Sequence, residues 1–512
     1  MSEEQLLEKN KTRDNLRQYW ASQNKEEDQI VLQEFKLRQD ALRFEMGMLV
    51  PRVVEREDFS KVCPKRFANS REDLAGKYIF NLLHWFAACL DSDFTTIKRP
   101  YEWFFPVDHQ DSTAIDFPAR VDLATGKFIL SEDHKFENTD QTYSIGVVSD
   151  WGTGSEDSYW VANNLWQQQN DFNVHLGDIY FTGTLNDCRQ NFCGLPTSKS
   201  LNDCAIRFPW GTQGAMAIAG NHEFYSHGLG YRKIVMPFCG PNRMQEQQTP
   251  FWSLETEYWV VIGLDSAYNC FDLLKWNYKI NAEASEDAMT FPRQLIDWLK
   301  THFSTTKRGI ILFSHHPPTT LFDDEPVFDN LVNQLSEIFN GRRVVYLFGH
   351  EHQLVFYRPQ VWTNNDCSSF IFHGRCIGNG GFPVQNQGQS RVKVMEAAQK
   401  YSNYVQAIEM GQGIDPKYGR NGWARILLCN NEATLEYYVV QSDKPQNGIQ
   451  VATEIFRVDA TTGVVTTDGL LINENNDMSV YSIANSEDVP ALRRTKQSNQ
   501  VSCCCCCHCV VS

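Results

Sequence analysis

The 512-residue chain has no long apolar run. The longest, residues 78–90, is interrupted by Asn81 and His84 and is too short to span a bilayer, so a buried helix is expected there. The opening MSEEQLLEKNKTRDNLRQYW is charged throughout and lacks the apolar centre of a secretory signal. The expectation is therefore a reducing compartment on the cytoplasmic side, where thiols stay free. Positive charge is in short supply: 47 Lys and Arg face 63 Asp and Glu, for a net charge of -16. A general nucleic-acid binder needs a basic face, so no nucleic-acid binding is expected. A small anionic substrate is still admissible, because bound metal ions invert the local field. Internal repeats are missing too. Cysteine is plentiful, but paired zinc-ligand spacing is absent. Ten of the sixteen cysteines are scattered from Cys63 to Cys429 and read as small core residues.

What is present is a globular composition, 42% hydrophobic and 12% aromatic, on a chain long enough for two or more domains. Residues 1–140 carry no nameable motif and are expected to form an accessory region. Its first fifty residues alternate charged and apolar positions at helical spacing. Residues 104–130 read as extended, broken by Pro106, Pro118 and Thr125-Gly126. From residue 141 to 470 the pattern predicts an α/β domain. Short β-rich runs at 144–149, 173–176, 215–219, 259–264, 309–313 and 344–348 each stop at a polar or glycine residue. Helical patterns lie between them, at 155–168 and 292–303. Further strands are expected at 424–429, 434–440 and 453–458. Residues 471–512 turn polar and read as a disordered linker with a cysteine-rich tail.

Five short motifs sit where the apolar runs end: Asp150-Trp-Gly152, Gly177-Asp178-Ile-Tyr180, Gly220-Asn221-His222-Glu223, His315-His316-Pro317 and Gly349-His350-Glu-His352. In layered α/β folds, sites form at the carboxyl ends of strands. A lone Asp there is usually a turn residue, and a lone His usually structural. Together these motifs offer carboxylates, an amide oxygen and several imidazoles, a donor set suited to Zn, Mn or Fe. Two such ions about 4 Å apart can activate water and clamp a phosphate ester.

The motifs and their order resemble the calcineurin-like metallophosphoesterases, and in style most nearly the purple acid phosphatases. The resemblance implies a β-sandwich of two mixed sheets flanked by helices. It implies a binuclear centre of divalent or mixed-valence ions, acting on a phosphate-ester substrate with a metal-bound hydroxide as nucleophile. Asp150 and His352 would bind the first ion, and Asp178 would bridge. Asn221, His315 and His350 would hold the second. His222 would contact the phosphate or protonate the leaving group, and Glu223 would orient His222. A phosphomonoesterase is the first expectation. A phosphodiesterase, or an inactive membrane-tethered scaffold on the same fold, stands as the alternative.

Two departures fall on the first ion. Most of the superfamily has Asp-x-His in the first motif, and here Gly152 replaces that His. Purple acid phosphatases make the same replacement and add a tyrosine ligand in Gly-Asp-x-x-Tyr. Tyr180 comes two residues after Asp178 instead of three, so it reads either as a ligand or as a neighbour packed beside the site. A ferric ion depends on that choice. His316 is expected to be structural or substrate-facing, His175 structural, and His227 a surface-loop residue. The Gly378-Asn-Gly-Gly381 run either brings backbone to the site or makes a turn, and Trp151 either walls the site or packs.

The chain closes on Cys503-Cys-Cys-Cys-Cys507-His508-Cys509-Val510-Val511-Ser512. Cys509-Val-Val-Ser512 resembles a prenylation box for a farnesyl chain on Cys509. A single prenyl chain binds weakly, and the upstream cysteines offer palmitoylation as the second signal. Arg493, Arg494 and Lys496 add attraction to an anionic leaflet. A lipid-anchored protein on the cytoplasmic face of a membrane is the expectation. The other reading is a cysteine-rich metal-binding tail.

Overall fold

The computed structural model describes residues 70, 71, 74, 119–131, 133–136, 141–195, 205–226, 228–242, 244–268, 290–318, 329–364, 367–473 and 480–483. The expected helical start, the buried helix at 78–90, His227 and the tail with Cys509 lie outside these residues.

Eighteen strands form two sheets among the described residues. In chain order they begin β1 (Arg120–Asp122), β2 (Lys127–Phe128), β3 (Tyr143–Val148), β4 (Phe172–His175), β5 (Gly214–Ala217), β6 (Trp252–Glu255), β7 (Trp259–Gly263), β8 (Gly309–Ser314) and β9 (Arg343–Phe348). They continue β10 (Leu354–Tyr357), β11 (Gln360–Thr363), β12 (Ser369–Ile377), β13 (Val405–Glu409), β14 (Gly422–Cys429), β15 (Glu432–Val440), β16 (Gly448–Val458), β17 (Val465–Ile472) and β18 (Val480–Ser482). One sheet has seven strands in the order β17-β16-β15-β14-β3-β4-β5. The other has eleven, β18-β13-β10-β12-β9-β8-β7-β6-β1-β2, with β11 paired to β12. Both sheets are mixed, as expected.

Burial explains the sequence pattern. The parallel strands β8 and β9 are covered on both faces, so they read as nearly continuous apolar runs. The antiparallel β15 alternates buried and half-buried positions, with one face inward. Val147, Val174 and Met216 from the smaller sheet share one core with Val261, Ile311 and Val345 from the larger. One ion pair runs through that interior. Arg375 on β12 meets Glu454 on β16 at 2.7 Å, with both side chains almost fully buried.

Helices bridge the parallel strands. α1 (Glu156–Gln167) leads from β3 to β4. Its N-cap is Ser155, whose hydroxyl accepts from the Ser158 amide, and Glu156 and Asp157 fill the acidic first turn. α2 (Leu185–Asn191) opens on a capping box between Thr184 and Asp187. α3 (Asn221–Phe224) carries the third motif. α4 (Arg293–Phe303) buries Leu295, Ile296, Trp298 and Leu299 between β7 and β8, and α5 (Asp329–Ile338) leads to β9.

The sheet does not break at residue 140. β1 pairs in parallel with β6, and Arg120 forks onto Glu255, so the larger sheet includes chain from before the expected boundary. At the other end, β17 runs to Ile472 and β18 pairs with β13, past the expected start of the linker. Pairing with β6 and β13 is what joins β1 and β18 to the larger sheet, and β1 falls in the stretch expected to be extended.

Candidate metal centre

The five motifs leave the carboxyl ends of parallel strands and meet at one end of the sandwich. β3, β4 and β5 deliver Asp150, Asp178 and Asn221 from one sheet. β8 and β9 deliver His315, His350 and His352 from the other. The His315 ring donates from Nδ1 to the Leu176 carbonyl at 3.0 Å, and the His350 amide donates to Asp150 Oδ2 at 2.9 Å, so the two sheets are tied together at the site. Four of the six core positions hold a left-handed backbone: Asp150 (φ 56°), Asp178 (72°), His350 (71°) and His352 (49°). Such a backbone costs a residue with a Cβ about 1–2 kcal/mol, and it gathers where function fixes the geometry. Close approach explains the neighbouring glycines. A Cβ on Gly349 would strike Ser149 Oγ and come within 2.5 Å of Asp150 Oδ2, and one on Gly378 would meet the His352 amide at 2.8 Å.

Ligand atoms of Asp150, Asp178 and His352 lie within 4.8 Å of one another. The Tyr180 hydroxyl joins them, 2.8 Å from His352 Nε2, 3.2 Å from Asp150 Oδ1 and 3.3 Å from Asp178 Oδ2. The shorter spacing has not carried the phenol away. Gly152 packs against Ile179, where an added Cβ would find Ile179 Cγ1 at 2.9 Å, so no larger residue fits there without movement. A second group, His315, His316 and His350, is equally compact. Asn221 Oδ1 lies 3.1 Å from His315 Nε2 and 3.0 Å from His350 Nδ1. Asp178 touches both groups, because its Oδ1 is 3.3 Å from His315 Nε2.

Burial decides the electrostatics. Asp150 and Asp178 are fully buried, and the ion-pair partners recorded for them are histidines. Desolvation opposes their ionisation, yet the surrounding imidazoles hold both carboxyls below the usual range. Desolvation equally opposes a charged His315, but Asp178 lifts its pKa to about 9. Burial drives His350 down to about 3. A cation-free pocket is thus left with buried anions whose partner is a forced imidazolium, and a metal ion would take that place. A carbonyl can only accept, so in the neutral ring that a metal ion requires, the Leu176 hydrogen bond puts the His315 proton on Nδ1 and leaves Nε2 with its lone pair. The oxygen and imidazole donors fit divalent or mixed-valence Fe, Zn or Mn.

His222 and Glu223 behave differently from expectation. Glu223 does not orient His222. Its Oε2 accepts from the Asp178 and Gly220 amides at 3.1 and 2.5 Å, and its Oε1 from the Ile179 amide at 2.5 Å. The carboxylate sits under two loops and serves their backbone as the acceptor for three amides. Burial, reinforced by the charge of Asp178, pushes its pKa up to about 8. The His222 ring is held instead by the Phe181 carbonyl, which accepts from Nδ1 at 2.5 Å. Its Nε2 is buried without a hydrogen-bond partner and lies 3.7 Å from Asp178 Oδ2.

The secondary readings divide. His175 packs among Trp151, Phe192 and Phe208, and its Nδ1 accepts from the Gly177 amide at 3.3 Å. Trp151 is fully buried and donates to the Ser158 carbonyl, so it packs and does not wall the site. The Gly378–Gly381 run brings backbone against Ser149, Asp150 and Trp151. His316 comes nearer the second group than expected, with its ring 4.9 Å from that of His350, its Nδ1 near Ser266 Oγ and its Nε2 unpartnered. Sequence reasoning passed over Phe382, whose ring stacks on His352 at 4.3 Å. Its one signal was the place just after the glycine run.

Residues 143–354 match the family of calcineurin-like phosphoesterases, and this segment of the chain is such a domain. The family supports a metal-dependent hydrolase of phosphoester bonds. No curated protein matches the chain significantly. Among solved structures, one of PhoD aligns over 66% of this chain and 73% of its own, at 12% identity and a TM-score of 0.42. GAP50, described as the anchor in the inner membrane complex of Plasmodium, aligns over 63% and 91%, at 12% identity and a TM-score of 0.35. No helix among the described residues is long and apolar enough to cross a membrane.

Proposed function

We propose that the chain is a binuclear phosphoric ester hydrolase. Asp150, Asp178, Tyr180 and His352 would hold one ion, and Asp178, Asn221, His315 and His350 the other. The observation that carries this reading is Asp178, whose Oδ1 lies 3.3 Å from His315 Nε2 and whose Oδ2 lies 3.3 Å from the Tyr180 hydroxyl. A carboxylate shared by two ligand groups is what a two-ion clamp requires. Bound there, the ions supply activated water and a cationic clamp for the phosphate oxygens.

The chain's own residues do the rest. Asp150 and Asp178 neutralise the cationic centre and fix the spacing of its halves. The left-handed backbone at four ligand positions pre-sets their directions and limits reorganisation. His222, with Nδ1 donating to Phe181, keeps Nε2 aimed past Asp178, which suits it to contact a phosphate oxygen or pass a proton to the leaving oxygen. Gly152 beside Tyr180 favours a phosphomonoesterase of the purple acid phosphatase type. The cysteine-rich tail that includes Cys509, with Arg493, Arg494 and Lys496 upstream, favours tethering to a membrane surface through lipid.

The test pairs metal content with a substrate panel. The expected result is two transition-metal ions per chain and faster turnover of p-nitrophenyl phosphate than of its bis ester. D178N should cost more than the roughly 10–100-fold that an outer partner of a ligand costs. A chain that binds no transition metal would instead be a scaffold on this fold, and a faster bis ester would make it a diesterase. Mass spectrometry of peptides covering residues 493–512 from native protein reads the tether, and unmodified cysteines there rule it out.

A further inference from the structure

Two described residues from the N-terminal region, Arg71 and Leu74, stand beside the site on the half that the sequence made hardest to read. Leu74 is 1% exposed and packs in a small apolar cluster with Tyr180, Phe181 and Phe382, with Val384 against it. This cluster shares no member with the main core between the sheets. It forms a bracket around one ligand group. The Phe382 ring lies 4.9 Å from that of Tyr180 and stacks at 4.3 Å on His352, and Tyr180 in turn presents its hydroxyl to His352, Asp150 and Asp178. The second group lies apart from this cluster: the recorded side-chain hydrogen bonds of Asn221, His315 and His350 run to one another, to Tyr225, to Asp178 and to the Leu176 carbonyl.

The segment that carries Leu74 is pinned to the domain. The Leu74 amide donates to the Ser70 carbonyl at 3.1 Å, closing a turn. From that turn the Arg71 guanidinium forks onto Asp157, with Nε to Oδ2 at 2.8 Å and Nη2 to Oδ1 at 3.0 Å, and also meets Glu156 Oε2 at 3.0 Å. Both acids lie in the first turn of α1, and Asp157 is itself buried, so the fork is more than a surface ion pair. The latch fixes where the leucine presses.

We infer that Leu74 is a positioning residue for the Asp150–Tyr180–His352 half of the metal centre, held in place by the Arg71 latch. The N-terminal region thereby completes the site. Without Leu74, Tyr180 and Phe382 lose their outer backing, His352 loses the surface that fixes its ring, and that half alone loosens. This inference rests on the two-ion reading above.

The experiment is chelator titration of metal content on the full chain, comparing wild type, L74A, L74V, L74M and R71A, with circular dichroism as the check on folding. Wild type should hold two ions. L74A should hold one as wild type does and release the other at about 10-fold lower chelator concentration. L74V and R71A should shift in the same direction by less, and L74M should restore wild-type behaviour. If L74A fails to fold, L74V and R71A decide the matter by the same readout. Two ions held as in wild type, or both weakened equally, overturns the inference. A wild-type chain with fewer than two ions overturns the two-ion reading and leaves this comparison to report on a single site.

Discussion

The Tyr180 hydroxyl stands 2.8 Å from His352 Nε2, although 172 residues of chain separate the two. The aromatic ring is fixed independently, packed against Phe382 and His222 at 4.9 and 4.5 Å. Tyr180→Phe therefore removes one oxygen and leaves the packing in place. The variant should fold like wild type and lose more affinity for one ion than the roughly 10–100-fold that an outer partner of a ligand costs, with the other unchanged. Metal titration reads this directly. With ferric iron at the site, the visible absorption of a tyrosinate complex should vanish in the variant. A colourless wild type, oxidised and fully metallated, would sink the ferric assignment.

Glu223 and His222 separate scaffold from chemistry. Glu223→Gln puts an amide NH2 against at least one backbone donor, since three amides converge on the two carboxylate oxygens. The expected cost is about 1–3 kcal/mol, seen as a lower thermal midpoint and weaker retention of metal. His222→Ala leaves that scaffold intact and should lower kcat with metal content unchanged. If Glu223 acted by orienting His222, the two variants would share one kinetic phenotype. Their divergence supports the backbone role.

The residues that gather at the candidate centre could be picked out because motif residues stand at strand ends, and strand ends are visible as abrupt stops in apolar runs. The roles given to Asp178 and Asn221 came from the family resemblance and not from that position. The partner of Glu223 was not legible. A Glu one residue after a His suggests side-chain coupling, but the capping geometry of α3 turns the carboxylate back to the Gly220 amide. His316 was expected to be structural or substrate-facing because neighbouring residues rarely both reach one ion, but the strand has ended at Ser314 and beyond it the His315 and His316 rings lie 5.0 Å apart. β18 lay inside the stretch read as linker and joins the sheet through its pairing with β13, whereas β1 falls in the stretch expected to be extended.

Acid should reach the larger sheet through Glu255. Burial opposes its charge, but Arg308 and Arg120, at 2.7 Å each, hold the carboxyl at about 2 against a usual 4.5. The folded form thus binds its proton less readily than the unfolded form. Its contribution is full above about 4.5 and is lost as pH falls toward 2, amounting to about 3 kcal/mol. Glu255→Gln should remove that part of the pH dependence. The difference in unfolding free energy between wild type and variant, followed by denaturant titration from pH 6 to pH 2, should shrink steadily. A difference that stays constant would show that the ion pairs do not carry it.

The pair between the sheets makes the opposite kind of prediction. Arg375 donates from Nε and Nη2 to Glu454 and from Nη1 to the Tyr357 and Gly374 carbonyls, and the Tyr437 hydroxyl also donates to the Glu454 carboxylate at 2.5 Å. Removing one member leaves a buried charge without its partner, so Arg375→Met should cost about 3–5 kcal/mol. Removing the whole network should cost far less, because the desolvation of both ions disappears with them. The triple variant R375M/E454M/Y437F also removes the hydroxyl that would otherwise be stranded, at about 1–3 kcal/mol. It should recover most of the loss seen in R375M, measured by urea unfolding. Since none of the three residues touches the ligand groups, metal content of the triple variant should match wild type. A triple variant as unstable as the single one would mean that the ion pair contributes net stability and does not merely avoid a penalty.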